Sequence, residues 1–327
     1  MRRALFGVAI VLLAWAALVV PLPLAVTSPV PALPVQEVIE FDDGLPGELD
    51  EQLHVTVVRL EPATLAGAAR SLTADERELT LLPAVLPPGV DQERFEEFQR
   101  ELFRESVRAA VAVGFDAAGL EVTIDGDGAR VVATVPGTPG AEAFEEDDVI
   151  TAVDGRDIEL ASELVTLLGD RRAGEELSVT VRRDGEEVTR TVELVPLEGE
   201  VGRIGLGVLV TTVELRIDAP ARAQVVADRR IGGPSAGLML ALGAYDAATD
   251  QVLGGGRVIA GTGTIDLSGN VGPVDGVAAK VQGARLVDAE VFLVPDTHVA
   301  VARDAAPAEL EVIGVDTLRE AIDALAD

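Results

Sequence analysis

Residues 231–280 decide the fold; they begin IGGPSAGLMLALGAYDAA and end GTGTIDLSGNVGPVDGVAAK. Ser235 lies in the small-residue run GPSAG, directly before an apolar stretch, residues 238–248. That stretch is too long and too rich in alanine and leucine for a strand, so the pattern predicts a helix that begins beside the serine. The small neighbours would let a substrate carbonyl approach, and the N–H groups of Ser235 and Ala236 would be unpaired donors at the helix start.

Lys280 is the single lysine of the chain, since 25 of the 26 basic residues are arginine. A serine hydroxyl is a poor nucleophile at neutral pH and needs a base within hydrogen-bond reach. Burial can lower the pKa of a lysine until the amine becomes neutral, whereas arginine stays protonated. A codon bias explains why lysine is scarce, but it does not explain why the remaining one follows Ser235 by 45 residues, in a helix that Asp275 is predicted to cap. We therefore predict Ser235 as a nucleophile and Lys280 as its general base.

These motifs resemble the proteolytic domain of Lon-type serine peptidases, which work through a Ser-Lys dyad. The resemblance assigns Ser235 as the nucleophile, Lys280 as the general base and Thr262 as the threonine that helps to hold the lysine, with Ala236 as a supporting residue. The match is closest to the membrane-anchored, PDZ-containing Lon-like proteins of Gram-positive bacteria. It implies polypeptide substrates and, by analogy with other Lon-like domains, a homo-oligomer such as a hexamer. The positions that depart from the family pattern are Thr264, Asp275 and Ala278.

A second interpretation fits the same serine. The pattern G-x-S-x-G also forms the nucleophile elbow of α/β-hydrolases, in which an aspartate and then a histidine follow the serine. His298 follows Ser235 in the run VPDTHVA, with Asp296 just before it. No HGGG-like oxyanion loop is visible, and a surface histidine explains His298 more simply. A Ser-His hydrolase that uses His298 is kept as an alternative.

The composition excludes several classes of function. The formal net charge is −30, and so acidic a chain would be repelled by a phosphate backbone, which argues against a nucleic-acid partner. The absence of cysteine excludes disulfides, cysteine-based zinc sites and thiol catalysis. The chain has no Walker or dinucleotide motif. We expect neither a cofactor nor a metal.

The N-terminus has the pattern of a membrane anchor. Two arginines precede an apolar run, and no charged residue follows until Glu37. We predict a transmembrane helix over residues 1–27 with a cytoplasmic N-terminus, and a proline-rich linker over residues 28–36. A cleaved signal peptide is the alternative. Either way the rest of the chain would be exported, as the extracytoplasmic part of a single-pass cell-membrane protein.

Residues 37–116 are predicted to form a mixed α/β N-terminal region. It includes a helix that Asp91 would cap and that would end near Val113. The side chains that recur at helical spacing there are interpreted as packing. They are Phe95, Phe98, Leu102 and Phe103.

Residues 117–197 are predicted to form a β-rich module, because short strands alternate with hairpin turns around one small helix. The order of elements resembles a PDZ domain, which binds an extended peptide as an added strand. The resemblance places the carboxylate loop and the groove on five residues. These are Gly119, Leu120 and Val122, opposite a helix that carries Leu164 and Leu168.

Residues 201–327 alternate strands and helices, which predicts an α/β domain. The predicted architecture is therefore multidomain: a transmembrane helix, a PDZ-like β module and an α/β Lon-type proteolytic domain. The predicted function is a membrane-tethered, ATP-independent serine endopeptidase that acts on exported or membrane proteins. A non-catalytic peptide-binding scaffold is the second hypothesis; the presence of both Ser235 and Lys280 favours the enzyme.

Overall fold

The structure is a computed structural model that describes residues 15, 18–42, 45–47, 49–71, 78–82, 92–169, 171–197, 204–227, 231–249 and 253–326. The strands in this part of the chain are β1 (Pro21–Pro29), β2 (Leu33–Pro34), β3 (Ile39–Phe41), β4 (Leu53–Val55), β5 (Val58–Thr64), β6 (Glu78–Leu81), β7 (Thr123–Asp125), β8 (Ala129–Thr134), β9 (Val149–Val153), β10 (Arg156–Asp157), β11 (Glu176–Arg183), β12 (Glu186–Glu193), β13 (Val195–Pro196), β14 (Ile204–Gly205), β15 (Val208–Thr212), β16 (Arg216–Asp218), β17 (Ala223–Val225), β18 (Ile259–Gly261), β19 (Thr264–Ile265), β20 (Val271–Gly272), β21 (Val291–Pro295) and β22 (Glu311–Val315). The helices are α1 (Leu65–Ser71), α2 (Gln92–Ala117), α3 (Pro139–Ala143), α4 (Ala161–Gly169), α5 (Gly237–Ala248), α6 (Val277–Arg285), α7 (Val299–Ala305) and α8 (Leu318–Ala326).

The main domain is built on a sheet with the strand order β2-β4-β18-β21-β22. The pairs β4 with β18, β18 with β21 and β21 with β22 are parallel. Every residue of β18 and β21 is buried, as expected for inner strands of a parallel sheet that is covered on both faces. Thr262 follows the last residue of β18, so it lies at the carboxyl edge of the sheet, where sites in α/β folds are usually found.

The N-terminal region belongs to this main domain. Leu53 in β4 pairs with Ile259 in β18, and Phe103 and Val107 of α2 are buried in the same core as α5. Gly114 lets α2 approach α5 closely, because a Cβ there would lie 2.4 Å from the carbonyl oxygen of Ala241. The two predicted segments, residues 37–116 and 201–327, therefore contribute to one shared core, whereas the prediction treated them as separate units. The predicted cap Asp91 lies outside the described residues.

A β domain is inserted into the main domain. Its sheet has the order β12-β11-β9-β8-β15, with β10 paired to β9, and α3 and α4 complete it. The last strand, β15, lies beyond the predicted boundary at residue 197 and pairs with β8. The predicted domain of residues 201–327 therefore includes a strand of the other sheet, because no local sequence signal shows that a strand pairs with a much earlier one.

The two ends of the inserted domain, residues 128–212, connect to the main domain side by side. Strand β7 pairs with β16 just before and just after it. Asp127 N–H donates to the carbonyl of Val213 at 2.9 Å, and Val213 N–H donates to the carbonyl of Gly128 at 2.9 Å. Arg216 binds Asp127 at 2.8 Å and also pairs with Asp125. The two connections thus form one hydrogen-bonded neck.

The N-terminal strand overlaps the predicted membrane anchor. Residues 21–27, the end of that predicted helix, lie in β1, which pairs with β5 and β6. Pro21 and Pro23 disfavour a continued helix, so the predicted boundary at residue 27 is wrong. Residues 1–14 and 16–17 of the predicted anchor lie outside the described residues. Where the structure describes the chain, it contains no helix with the length and apolar character needed to cross a membrane.

The predicted linker, residues 28–36, is also part of the fold. It contains the end of β1, strand β2 and the start of a 3-10 turn, Val35–Glu37. Ala32 is 4% exposed and Val35 is fully buried. This segment therefore packs on the main domain rather than leading away from it.

Candidate active site

Ser235 lies at the start of α5, whose residues are all buried. The turn before the helix is held by backbone hydrogen bonds. Gly237 N–H donates to the carbonyl of Pro234 at 3.1 Å, and Leu238 N–H donates to the carbonyl of Gly263 at 3.0 Å. Ser235 itself is only partly buried, so this residue just before the helix is accessible to solvent.

Two backbone donors beside the serine are free. Within the part of the chain that the structure describes, the N–H groups of Ser235 and Ala236 have no hydrogen-bond acceptor. Because N–H groups at a helix start carry partial positive charge, this pair could stabilise a negatively charged oxygen. Ala236, the predicted supporting residue, supplies one of these two donors.

Lys280 is buried in α6, with 2% of its surface exposed. Its Nζ donates to Oγ1 of Thr262 at 2.9 Å, and Thr262 is fully buried. Asp275 does not cap this helix as predicted. The capping position belongs to Gly276, which adopts a φ of 66°, a left-handed conformation that glycine accepts most readily.

Thr262 connects the lysine to the serine. Its hydroxyl donates to the backbone carbonyl of Ser235 at 3.0 Å, and the N–H of Gly263 donates to the same carbonyl at 3.0 Å. One threonine therefore binds the Lys280 nitrogen on one side and the Ser235 backbone on the other. The three residues predicted from separate stretches of sequence lie in one hydrogen-bonded cluster.

Burial lowers the pKa of Lys280 from its ordinary value of 10.5 to about 8, while the carboxylate of Asp275 acts in the opposite direction. Removing the ammonium from water penalises its charged form. Near pH 8, a large fraction of Lys280 is therefore the neutral amine, which can accept a proton. A buried lysine whose pKa is lowered in this way is a candidate functional group.

His298 has a different environment. It ends a short 3-10 turn, Asp296–His298, and its Nδ1 is 2.9 Å from the hydroxyl of Thr297. This contact gives one ring nitrogen of His298 a hydrogen-bond partner at the surface. It gives no support to the Ser-His alternative. Among the residues that the structure describes, no group of three or more His, Cys, Asp or Glu could hold a metal ion.

The comparisons with protein families agree with this geometry. Residues 116–194 match the family model of the PDZ domain, and residues 214–326 match the Lon protease (S16) C-terminal proteolytic domain. The chain joins a PDZ domain to a Lon-type proteolytic domain. The predicted recognition of these two modules is confirmed, and the match to the proteolytic domain supports a serine peptidase. No curated protein matches the chain.

The solved structures that are similar to part of the chain include isolated PDZ domains. The PDZ domain of an SdrC-like protein from Listeria monocytogenes is 19% identical, and the match covers 26% of this chain and 87% of that chain with a TM-score of 0.25. Its counterpart from Listeria innocua is 20% identical and covers 26% and 93%, with a TM-score of 0.25. A protein from Geobacillus thermodenitrificans is 32% identical and covers 25% and 94%, with a TM-score of 0.24.

The predicted groove residues of the PDZ domain are not where the resemblance placed them. Gly119 lies after the end of α2, and Leu120 and Val122 pack against the core of the main domain. Leu164 and Leu168 do lie on α4, but they are 1% and 8% exposed and belong to the PDZ core. A peptide could not reach these side chains without opening the domain.

A candidate groove lies elsewhere on the PDZ domain. Strand β15 is at the edge of the PDZ sheet and lies next to α4. It is preceded by the run IGLGV, residues 204–208, in which Gly207 has a φ of 81°. Val165 is the exposed apolar residue of α4, at 47%. The alternation of glycine and apolar residues directly before a strand was the sequence signal that could have located this loop.

Proposed function

We propose that the protein is an ATP-independent serine endopeptidase in which Ser235 is the nucleophile and Lys280 the general base. One observation carries this proposal. The only lysine of the chain is buried, and its amine donates a hydrogen bond to the hydroxyl of Thr262, which in turn donates one to the backbone carbonyl of Ser235. An arginine at that position would stay charged, and an exposed lysine would stay protonated at neutral pH.

The reaction follows from these contacts. The neutral amine of Lys280 accepts the proton of the Ser235 hydroxyl as Oγ attacks the carbonyl carbon of the substrate. The N–H groups of Ser235 and Ala236 stabilise the oxyanion. As the C–N bond breaks, the Lys280 ammonium returns the proton to the leaving amine, and an acyl-enzyme remains. Water then attacks the ester, Lys280 takes a proton from that water, and the proton finally returns to Ser235 Oγ.

The PDZ domain would bind the substrate. An extended peptide would add to the free edge of β15, opposite α4, with its terminal carboxylate near the loop of residues 204–207 and an apolar side chain against Val165. Because the chain has no nucleotide motif, the substrates should be flexible or already unfolded polypeptides.

We also propose that the N-terminal segment tethers the protein to the cell membrane with its peptidase outside the cytoplasm. The support is the apolar run after Arg2 and Arg3, and the exposure of the apolar side chains that the structure describes just before β1. These side chains are Trp15, Leu18, Val19 and Val20. Membrane fractionation and protease accessibility in intact cells test the tether, and sedimentation of the purified chain tests the expected hexamer.

The activity is tested with the full chain, casein and a fluorogenic peptide, without nucleotide. We expect turnover in the wild type and loss of turnover in Ser235→Ala, Lys280→Met and Lys280→Arg, by roughly 1,000-fold or more. His298→Ala is the matched control, and it should keep wild-type rates. Turnover that survives in Ser235→Ala or in both lysine variants would reject the dyad. Loss in His298→Ala alone would favour the Ser-His hydrolase, and no cleavage by any protein would favour the scaffold.

A further inference from the structure

Helix α2, which precedes the PDZ domain, contacts the turn that carries the nucleophile at two points. The N–H of Gly233 donates to the backbone carbonyl of Gln99 at 2.9 Å. The hydroxyl of Ser106 donates to the carbonyl of Pro234 at 3.1 Å. Gln99 and Ser106 both lie outside residues 214–326, the segment that matches the proteolytic domain.

The Ser106 contact sets the direction of an important donor. The carbonyl of Pro234 and the N–H of Ser235 belong to the same planar peptide group and point in opposite directions. A hydrogen bond that holds the carbonyl therefore also fixes where the N–H points. Because Gly237 N–H binds the same carbonyl at 3.1 Å, that oxygen has two donors, and the peptide plane is restrained from two sides.

Ser106 is well placed for this role. It is 6% exposed, and its Oγ would be only 3.2 Å from a Cβ added at Gly237, so α2 and the start of α5 are in close contact. Serine hydroxyls inside helices commonly bond back to a carbonyl of their own helix. The hydroxyl of Ser106 is directed at the nucleophile turn instead.

We propose that Ser106 is a positioning residue of the peptidase, which orients the Ser235 N–H toward the developing oxyanion by holding the Pro234 carbonyl. The inference rests on the proposed function. It means that the active site is assembled from both sides of the PDZ insertion, because the nucleophile comes from the segment after the inserted domain and its support comes from the helix before it.

The test is Ser106→Ala in the full chain, with kcat and KM for a fluorogenic peptide measured between pH 6 and 10. We expect kcat to fall roughly 10- to 100-fold, since small errors of position at a reacting group are costly, while KM stays near the wild-type value. The pH dependence should keep its wild-type midpoint, because Ser106 does not contact Lys280. Ser106→Thr keeps the hydroxyl and should restore much of the lost kcat.

Ser71→Ala is the matched control. Ser71 is 7% exposed on α1, and its hydroxyl donates to the carbonyl of Gly67 at 3.1 Å, so the same kind of bond is lost away from the site. It should leave kcat and KM unchanged. A wild-type kcat in Ser106→Ala, or an equal loss in Ser71→Ala, would overturn the positioning role alone. Absence of Ser235-dependent turnover in the wild type would overturn the proposed function and this role together.

Discussion

The side chain of Lys280 donates a hydrogen bond of 2.9 Å to the hydroxyl of Thr262, and both residues are almost completely buried. The Thr262 hydroxyl donates its only proton to the Ser235 carbonyl, so it can only accept a hydrogen bond from the lysine. The amine is therefore anchored through one N–H. When Lys280 is neutral, its lone pair is directed away from Thr262 and is available to another proton donor.

The pH dependence of the reaction should follow Lys280. Because burial lowers the pKa of this lysine to about 8, and only the neutral amine can accept a proton, kcat/KM should rise with pH and level off above about pH 8. The measurement is kcat/KM for a fluorogenic peptide from pH 5.5 to 10. Loss of this pH dependence in His298→Ala would instead identify the histidine as the base.

Thr262→Val should impair catalysis without preventing binding. The substitution keeps the shape of the side chain but removes the acceptor that holds Lys280 and the donor to the Ser235 carbonyl, so we expect kcat to fall roughly 10- to 100-fold with little change in KM. Thr249→Val is the matched control, because the Thr249 hydroxyl donates to the Tyr245 carbonyl at the same distance, 3.0 Å, at the far end of α5. Equal kcat values in the two variants would contradict the role of Thr262.

Lys280→Met should inactivate the enzyme and stabilise it. Between pH 8 and 10.5 the unfolded chain binds a proton at Lys280 that the folded chain lacks. The free energy of unfolding of the wild type therefore rises with pH across this window. Below pH 8 the lysine is charged in both states, so the folded protein bears the full cost of burying that charge. Methionine removes that cost, and we expect a gain of about 3 kcal/mol in the free energy of unfolding at pH 7. Chemical unfolding at pH 7 and pH 10.5 measures it. A gain of the same size at both values would show that it comes from packing rather than from charge.

Ser235 and Lys280 could be selected as candidate residues from the sequence because their signals are local. A serine between small residues before an apolar helix, and the single lysine in another helix, can be read from short stretches of sequence. The position proposed for the groove was not predictable in this way. The strand beside α4 is β15, which pairs with β8 although some 75 residues separate them in the chain, whereas Leu120 lies nearer in sequence and packs on the other domain.

The extent of the main domain was hidden for a similar reason. Strand β4 has only three residues, and nothing in the run Leu53 to Val55 indicates that its partner is β18, about 200 positions later. Such pairing is decided by the packing of the whole core, which includes Phe103 and Leu238. Local propensity therefore identified the long helix of residues 37–116 but not the core to which it belongs.

Deletion of the PDZ domain should leave the peptidase folded. The neck pairs Asp127 with Val213, so joining these residues through Asn-Gly, in place of residues 128–212, would close a hairpin between β7 and β16. We expect kcat for a short peptide to stay near the wild-type value and the preference for substrates with a free C-terminal tail to disappear. Competition between tailed and amidated peptides measures this preference. An insoluble or unfolded product would contradict the inserted arrangement. An unchanged preference for the tail would contradict peptide binding by the PDZ domain.

Asp246→Asn should stabilise the protein above pH 6. Asp246 is 4% exposed near the end of α5, and its Oδ2 accepts the N–H of Asp50 at 2.8 Å. Burial raises its pKa to about 6, and the Asp50 carboxylate adds to the effect. The folded chain therefore binds a proton between pH 3.8 and 6 that the unfolded chain lacks, and the stability linked to it is lost as the pH rises through 6.

Asparagine keeps an oxygen for the Asp50 N–H, and its NH2 group could donate to Asp50 Oδ2, which is buried and has no hydrogen-bond partner in the described part of the chain. We expect a gain of about 1–3 kcal/mol in the free energy of unfolding at pH 7.5 that shrinks toward pH 4. Denaturant unfolding at both pH values measures it, and a loss of stability at pH 7.5 would show that the ionised carboxylate has a partner that the amide cannot replace.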